Sequence, residues 1–283
     1  MSRSGKQDMS IILGIDVGGS TTKIVGFDGD KMLPPMLVRA NDPVTSVYGA
    51  FGKFVSENGL SLSSLGEIRI TGVGASRLGN ELYGVPMLHA DEFRCNARGG
   101  LFISGLQKAI IVSMGTGTAF VWADGKESEY LGGTGVGGGT LTGLSRKLIG
   151  IEHSSQLSAL ASDGDLAKVN LLVGDIAENR INSILSDTTT ASNFGKISDL
   201  ATSADLAKGL FNMVYETIGM LAVFATRQKQ CEDVVLIGNL AGFPQANENF
   251  STLSGMFGVN FIIPELYAYG TVIGAALSDR KDG

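Results

Sequence analysis

Apolar residues along this chain fall in short runs separated by glycine-rich turns, and one arrangement occurs twice. ILGIDVGGSTTKIVGFDG (12–29) and AIIVSMGTGTAFVWADG (109–125) each read as an apolar run, a Gly/Ser/Thr turn, a second apolar run and an Asp-Gly pair. That is the pattern of a strand, a tight turn, a second strand and a hairpin turn. Two copies in one chain predict a duplicated α/β unit with a nucleotide polyphosphate held between the halves.

Around these hairpins, strand patterns alternate with helical ones, which predicts an α/β fold. In the first half the pattern gives strands at 11–16 and 22–27, a strand near 32–38, a helix over 43–57 and a strand at 67–71. A helical stretch at 76–83 and a strand at 86–90 follow, and then DEFRCNARGGL (91–101), whose acidic first turn favours a helix start. In the second half, LGGTGVGGGTLTGLSRKLIG (131–150) is a glycine run opening an amphipathic helix, and 152–200 reads as inserted helices and loops. The longest helix spans 204–230; VVLIGNLAGF (234–243) is strand, turn and helix; GVNFIIP (258–264) holds the last strand; LYAYGTVIGAALSD (266–279) is a small-residue helix suited to close packing. No linker stands out. The expected organisation is a disordered tail at 1–10, an N-terminal lobe at 11–105, and a C-terminal lobe at 106–283 with a helical insertion at about 150–200.

Composition narrows the class. With 43% hydrophobic and 18% charged residues in 283, the chain can bury a substantial core. Mean hydropathy is +0.19, yet no uninterrupted apolar run approaches the roughly 20 residues a membrane span needs, so no membrane is expected. A net charge of −6 argues against a nucleic-acid surface. Cys95 and Cys231 are the only cysteines and form no CxxC or zinc pattern, so a reducing cytoplasm is expected. The N-terminus, MSRSGKQDM, lacks the apolar core of a signal peptide.

The chemistry concentrates in the glycine segments. In DVGGSTTK (16–23), Gly18 and Gly19 let backbone N–H groups face a phosphate, while Ser20, Thr21, Thr22 and Lys23 add hydroxyls and charge. Asp16, at a strand end, is placed to hold Mg²⁺. The loop is not of the Walker A type, since GxxxxGK[ST] does not occur here. SMGTGT (113–118) is the matching loop, with Thr116 and Thr118 as candidate donors. GGTGVGGGT (132–140) carries GxGxxG at Gly133, Gly135 and Gly138, but no acidic residue ends a second strand about 20 residues on, as a dinucleotide site requires. The run reads instead as a helix N-terminus aimed at ATP phosphates. Glu92 lies just past a predicted strand, where a carboxylate could accept the proton of an attacking hydroxyl, or equally serve as a helix N-terminal charge. Arg94 and Arg98 lie near the predicted cleft.

Taken together, DVGGSTTKIV (16–25), the ITG turn (70–72), DEFRCNARGG (91–100), SMGTGTA (113–119), LGGTGVGGGTLTGL (131–144), TTASNFG (189–195), VLIGN (235–239) and YGTVIGAAL (269–277) resemble the type II pantothenate kinases. That family lies within the acetate/sugar kinase, Hsp70 and actin superfamily, and the resemblance covers about residues 11–278. It implies two ribonuclease-H-like lobes around an ATP cleft, in a cytoplasmic homodimer, and phosphoryl transfer from MgATP to the primary hydroxyl of pantothenate. It further implies Asp16 as organiser of Mg²⁺, Gly18 to Lys23 as phosphate cradle, and Glu92 as catalytic base. Gly115, Thr116, Gly117 and Thr118 would line the phosphate and pantothenate side. Gly135, Gly137, Gly138 and Gly139 would meet ATP, with Asn193 near the nucleotide or the cleft wall.

One position departs from the family pattern. An arginine, taken to bind the pantothenate carboxylate, typically precedes the GGxGxGGG loop, and SEYLGG (128–133) places Tyr130 there. A tyrosine cannot pair with a carboxylate as a guanidinium does. Two expectations stay open: Arg94 or Arg98 compensates, or the substrate lacks the carboxylate, as pantetheine does. Other readings of the scaffold are a non-catalytic ATP-binding regulator, a sugar kinase, and an ATPase activator of acyl-CoA dehydratases, which would need cluster-binding cysteines.

Overall fold

The computed structural model describes residues 10–19, 21–39, 42–176 and 186–278. The first repeated segment forms β1 (Ile11–Val17) and β2 (Thr21–Asp28), antiparallel with Asp16 opposite Lys23. β3 (Lys31–Met32) and β4 (Met36–Arg39) both pair with β2. After α1 (Pro43–Glu57), β5 (Leu65–Thr71) runs parallel to β1, and β6 (Glu81–Leu82) and β7 (Val85–His89) complete a sheet of order β3-β2-β1-β5-β7-β6. α2 (Glu92–Ser104) then leads to the second copy, β8 (Ala109–Met114) and β9 (Thr118–Ala123), extended by β10 (Ser128–Thr134). α3 (Gly138–Ile149), α4 (Ser154–Ala161), β11 (Leu171–Leu172), α5 (Val173–Ile176), β12 (Thr190–Ser192) and α6 (Ser203–Lys229) follow. β13 (Asp233–Ile237), α7 (Pro244–Phe257), β14 (Asn260–Ile262) and α8 (Gly270–Leu277) end the described chain.

The second sheet has the order β10-β9-β8-β13-β14, the same antiparallel hairpin set on two parallel strands as in the first. The likeness extends to detail. Gly72 after β5 and Gly238 after β13 both take left-handed backbone, at φ 91° and 95°. A Cβ at either would press on the end of the central strand, at Val17 and at Met114.

Period-two alternation sorts each hairpin into two faces. Leu13, Ile15, Val17 and Ile24 pack against Val47, Phe51 and Phe54 of α1. Gly14, Asp16, Lys23 and Val25 take the opposite face, where α8 lies so close that a Cβ on Gly14 would meet the Val272 carbonyl. In the second unit Ile110, Val112, Phe120 and Leu236 pack on α6 and α7 through Phe211, Val214, Ile218 and Phe250. α6 is long and apolar enough to cross a membrane by length and composition. Its apolar face is buried in this core, however, and its N-terminus is fixed by a capping box between Thr202 and Asp205.

α2 and α8 each follow the last strand of their sheet and cross each other between the two units. A Cβ on Gly99 would strike the Gly270 carbonyl, and one on Gly274 the Cys95 carbonyl, so these glycines let the two backbones touch. Arg69 and Arg98 donate to the carbonyls of Ala276 (3.1 Å) and Leu277 (2.9 Å) and so close the C-terminal end of α8.

Two local expectations are corrected. The stretch 76–83 is not helical: a 3₁₀ turn at Val73–Arg77 is followed by the β6–β7 hairpin, whose turn residues Tyr83 and Gly84 both have positive φ, 51° and 78°. The segment 131–150, expected as a glycine run opening a helix, begins as strand, since SEYLGGT (128–134) is the third strand of its sheet and the helix starts only at Gly138. The expected insertion at about 150–200 contains α4, α5 and the small β11–β12 sheet, while 177–185, like the expected tail apart from Ser10, lie outside the described residues.

Candidate active site

The inner face of the first sheet ends, beyond α8, in Asp16 of β1 and Lys23 of β2, cross-strand partners on a common face. Burial raises the pKa of the Asp16 carboxyl, an effect that Lys23 partly offsets; burial likewise lowers that of the Lys23 ammonium, and Asp16 works against it. Glu92 joins them from α2. The N-cap of that helix is Asp91, which accepts the Arg94 N–H at 2.9 Å, so Glu92 is the first helical residue and is held at the helix mouth. The pKa of Glu92 is raised by burial first, then by the negative charges of Asp16 and Asp91. A half-buried carboxylate with elevated proton affinity beside a second carboxylate and a lysine has the properties of a general base in a phosphoryl-transfer cleft.

The two glycine loops face each other. Gly18 N donates to Thr21 O (2.9 Å) in the first and Gly115 N to Gly117 O (2.9 Å) in the second. A Cβ on Gly19 would lie 3.8 Å from Thr116 Oγ1, so the first loop looks directly at the second. Thr116 is exposed there, its hydroxyl turned to the gap. Ser113 occupies the place in the second hairpin that Asp16 holds in the first, two residues before the loop glycine. Sequence reading passed over it, although the repeat itself marks the position.

The glycine run does something other than expected. Gly138 N donates to Gly115 O (2.9 Å) and Gly139 N to Thr116 O (2.8 Å). The first two amides of α3 therefore hold the second loop and do not point freely at a phosphate. A Cβ on Gly137 would stand 2.7 Å from Thr116 O, whereas Gly135 faces open space. Gly137, Gly138 and Gly139 thus pack backbone on backbone, and of the four glycines expected to meet ATP only Gly135 has open space where a Cβ would stand.

Several expected contacts turn away from the cleft. The Thr22 side chain is buried and its Oγ1 accepts the Ser46 hydroxyl (2.7 Å), which ties β2 to α1. The Thr118 hydroxyl donates to Val136 O (2.9 Å), fastening the glycine run to β9. Asn193 sits in a polar cluster on α6: its Oδ1 accepts from Asn170 (3.3 Å) and Asn212 (3.0 Å), and its Nδ2 donates to Glu216 (2.7 Å). Its place is that of a clamp for the β12 segment. Ser20 lies outside the described residues.

Arg94 and Arg98 line a hollow of about 370 Å³ together with Ala97, Ala123, Lys126 and Ser128. At 100° per residue, Arg94 is about 200° around α2 from Glu92, on the opposite side of the helix. The Tyr130 ring stacks on Phe93, the residue after Glu92 in α2, with centroids 4.0 Å apart at 21°. Cys95 is buried against α8, with its thiol pushed up to about 12 by burial, and Cys231 is buried at the entry to β13. Neither is placed to hold a cluster at a surface.

The chain matches the family model described as Fumble over residues 108–257. It is 29% identical over 248 residues to the type II pantothenate kinase of Bacillus cereus, covering 82% of this chain and 84% of that protein. To the type II pantothenate kinase of Staphylococcus epidermidis it is 27% identical over 256 residues, covering 86% and 92%. Among solved structures, the activator of the 2-hydroxyisocaproyl-CoA dehydratase from Clostridium difficile with bound ADPNP superposes with a TM-score of 0.67 at 18% identity, over 94% of this chain and 93% of that one. The ROK hexokinase from Thermus thermophilus gives 0.56 at 15% identity, over 94% and 97%. The structural likeness establishes the actin-like ATPase fold, two α/β units around a cleft. The match to the family model over just over half of the 283 residues establishes that this chain belongs to the Fumble family, that of the type II pantothenate kinases.

Proposed function

We propose that this protein transfers the γ-phosphoryl group of ATP to the primary hydroxyl of pantothenate, the first step of coenzyme A synthesis, in the cytoplasm and as a homodimer. The observation that carries the chemistry is Glu92, a carboxylate of raised proton affinity fixed at the mouth of α2 beside Asp16. In this reading the acceptor hydroxyl donates its proton to Glu92 as its oxygen attacks the γ-phosphorus, and the bond to the bridging oxygen of ADP breaks. The proton then leaves Glu92 for solvent. Lys23, the amide of Gly19, and the hydroxyls of Thr21, Thr116 and Ser113 balance charge on the transferred group, while the Gly18 amide holds the hairpin turn through the Thr21 carbonyl; positioning supplies most of the acceleration.

Among the described residues, no three His, Cys, Asp or Glu side chains gather into a metal cage. What the cleft does offer is the single buried carboxylate of Asp16 beside the first glycine loop, which fits Mg²⁺, an ion commonly carried by one or two carboxylates, waters and the nucleotide's own phosphates. Asp16 would hold it, and when bound it would neutralise phosphate charge. A regulator that only bound ATP would have no need of Glu92 beside Asp16 and Lys23. The test is ADP release with MgATP and each of pantothenate, glucose and N-acetylmannosamine. Turnover that requires pantothenate is expected; turnover driven by a sugar alone would overturn the reading.

A further inference from the structure

Successive turns of α2 carry a buried donor with no acceptor and a half-buried acceptor with no donor. The donor is Asn96, whose side chain is wholly buried. Its Oδ1 accepts the Thr271 hydroxyl of α8 at 2.7 Å, while its Nδ2 has no hydrogen-bond partner among the described residues. The glycine contacts at Gly99 and Gly274, where α2 and α8 touch, bring these two side chains together. A buried amide N–H left unpaired is destabilising, and the few that native interiors keep need a reason of their own, a catalytic role among them.

The acceptor is Glu92. Burial and the charges of Asp16 and Asp91 act on its carboxylate, and among the described residues no hydrogen-bond donor opposes them. Asn96 follows Glu92 by four residues, about 40° further around the helix, so the two share a face. Side chains at this spacing lie within hydrogen-bond reach. Helical Cα–Cβ bonds tilt toward the N-terminus, which carries the Asn96 amide back over the turn that Glu92 begins. With Oδ1 turned to Thr271, Nδ2 is turned from it. A swing of the longer Glu92 side chain joins donor to acceptor, and hydrogen bonds of catalytic groups often close only once substrate fills the site.

We propose that Asn96 is a positioning residue for the base: its Nδ2–H holds one oxygen of the Glu92 carboxylate, and the other oxygen is thereby aimed at the acceptor alcohol. Thr271 fixes the amide that does this. In the reaction the free Glu92 oxygen takes the alcohol proton as the alcohol oxygen bonds to the γ-phosphorus and the bond to ADP breaks. The protonated acid keeps its bond to Asn96 through the other oxygen until the proton passes to solvent. This rests on the reading of Glu92 as the base and adds the group that orients it.

The test is a cycle of variants assayed with MgATP and pantothenate: wild type, Asn96→Leu combined with Thr271→Val, Glu92→Gln, and all three changes together. Asn96→Leu with Thr271→Val replaces both partners of the buried bond by apolar groups of similar shape, which is close to neutral for folding. Its Tm and its KM values for ATP and pantothenate should stay near those of wild type, while kcat falls by roughly 10- to 100-fold, the range of a hydrogen bond to a charged group that orients it. A merely structural role would move Tm and KM instead. In the Glu92→Gln background the same pair of changes should slow the residual reaction by less than about threefold, because two groups that act as one are not additive. Should the paired variant not fold, Asn96→Ser, which leaves a hydroxyl for Thr271 but has no reach to Glu92, takes its place in the cycle. An unchanged kcat, or an equal slowing with and without Glu92, overturns the proposal and leaves Glu92 as the base. A Glu92→Gln protein as fast as wild type removes the base and Asn96's role with it.

Discussion

Two glycines of the run before α3 should behave oppositely on acquiring a methyl group. In Gly137→Ala the new Cβ would stand 2.7 Å from Thr116 O and 2.9 Å from the Gly117 carbonyl carbon and Cα. The strand and loop must separate by roughly half an ångström to reach ordinary contact distances, at an overpacking cost of about 1–3 kcal/mol. The same movement stretches the bonds from Gly138 N to Gly115 O (2.9 Å) and from Gly139 N to Thr116 O (2.8 Å), which set the second loop. The backbone of Gly137 is extended at φ 178°, so the penalty is one of space and not of torsion. In Gly135→Ala the Cβ meets nothing within 4 Å. Thermal unfolding followed by circular dichroism, together with the KM for ATP, reads both variants. Gly137→Ala should lower Tm by about 2–12 °C, at roughly 2–4 °C per kcal/mol for a domain of this size, and should raise the KM for ATP. Gly135→Ala should leave Tm within about 1 °C and act, if at all, on ATP alone. Equal Tm values for the two variants would refute the claim that the run packs backbone on backbone.

The remaining predictions concern the other groups of the cleft and its supports. Thr22→Val removes the acceptor of the buried Ser46 hydroxyl and should cost about 1–3 kcal/mol in chemical denaturation while leaving the KM for ATP unchanged; Thr116→Val should do the reverse. Glu92 must be ionised to act, and its pKa lies above the ordinary 4.5 because of burial, Asp16 and Asp91. The kcat/KM profile should therefore fall on the acid side with a midpoint above 4.5, and Asp91→Asn, which keeps the helix cap, should move that midpoint down. Asn193→Ala breaks the bonds to Asn170, Asn212 and Glu216 and should destabilise the protein by about 1–3 kcal/mol, read by urea unfolding.

The duplicated hairpins were legible because two physical signals coincide: apolar runs of strand length, and glycines at a turn that must admit a phosphate. α1 was legible for a similar reason, with Asp42 and Pro43 marking its start and Val47, Ala50, Phe51 and Phe54 its buried face. What the sequence withheld depends on neighbours distant along the chain. The β6–β7 hairpin rests on Tyr83 accepting a positive φ that tyrosine rarely adopts. Glycines that let two backbones touch look the same in sequence as glycines that admit a ligand. Only the partner separates them: Thr116 O for Gly137, the Cys95 carbonyl for Gly274, open space for Gly135. The same holds for hydroxyls, since alternation alone leaves open which strand face meets the cleft. Thr22 proves to face α1, whereas Thr116 faces the gap. Arg98 looked like a substrate ligand near Glu92 until α8 returned from the end of the chain to take its guanidinium.

The proposed phosphoryl transfer depends on Glu92 as the base that receives the acceptor proton. Its most direct test is phosphorus NMR of the wild-type protein and Glu92→Gln incubated with MgATP and pantothenate, with ATP affinity measured in parallel by calorimetry. The wild type should give a phosphomonoester signal, and the variant should form it at least about 100-fold more slowly while binding ATP within about twofold of wild type. Phosphopantothenate formed at equal rates by both proteins would rule out Glu92 as the base.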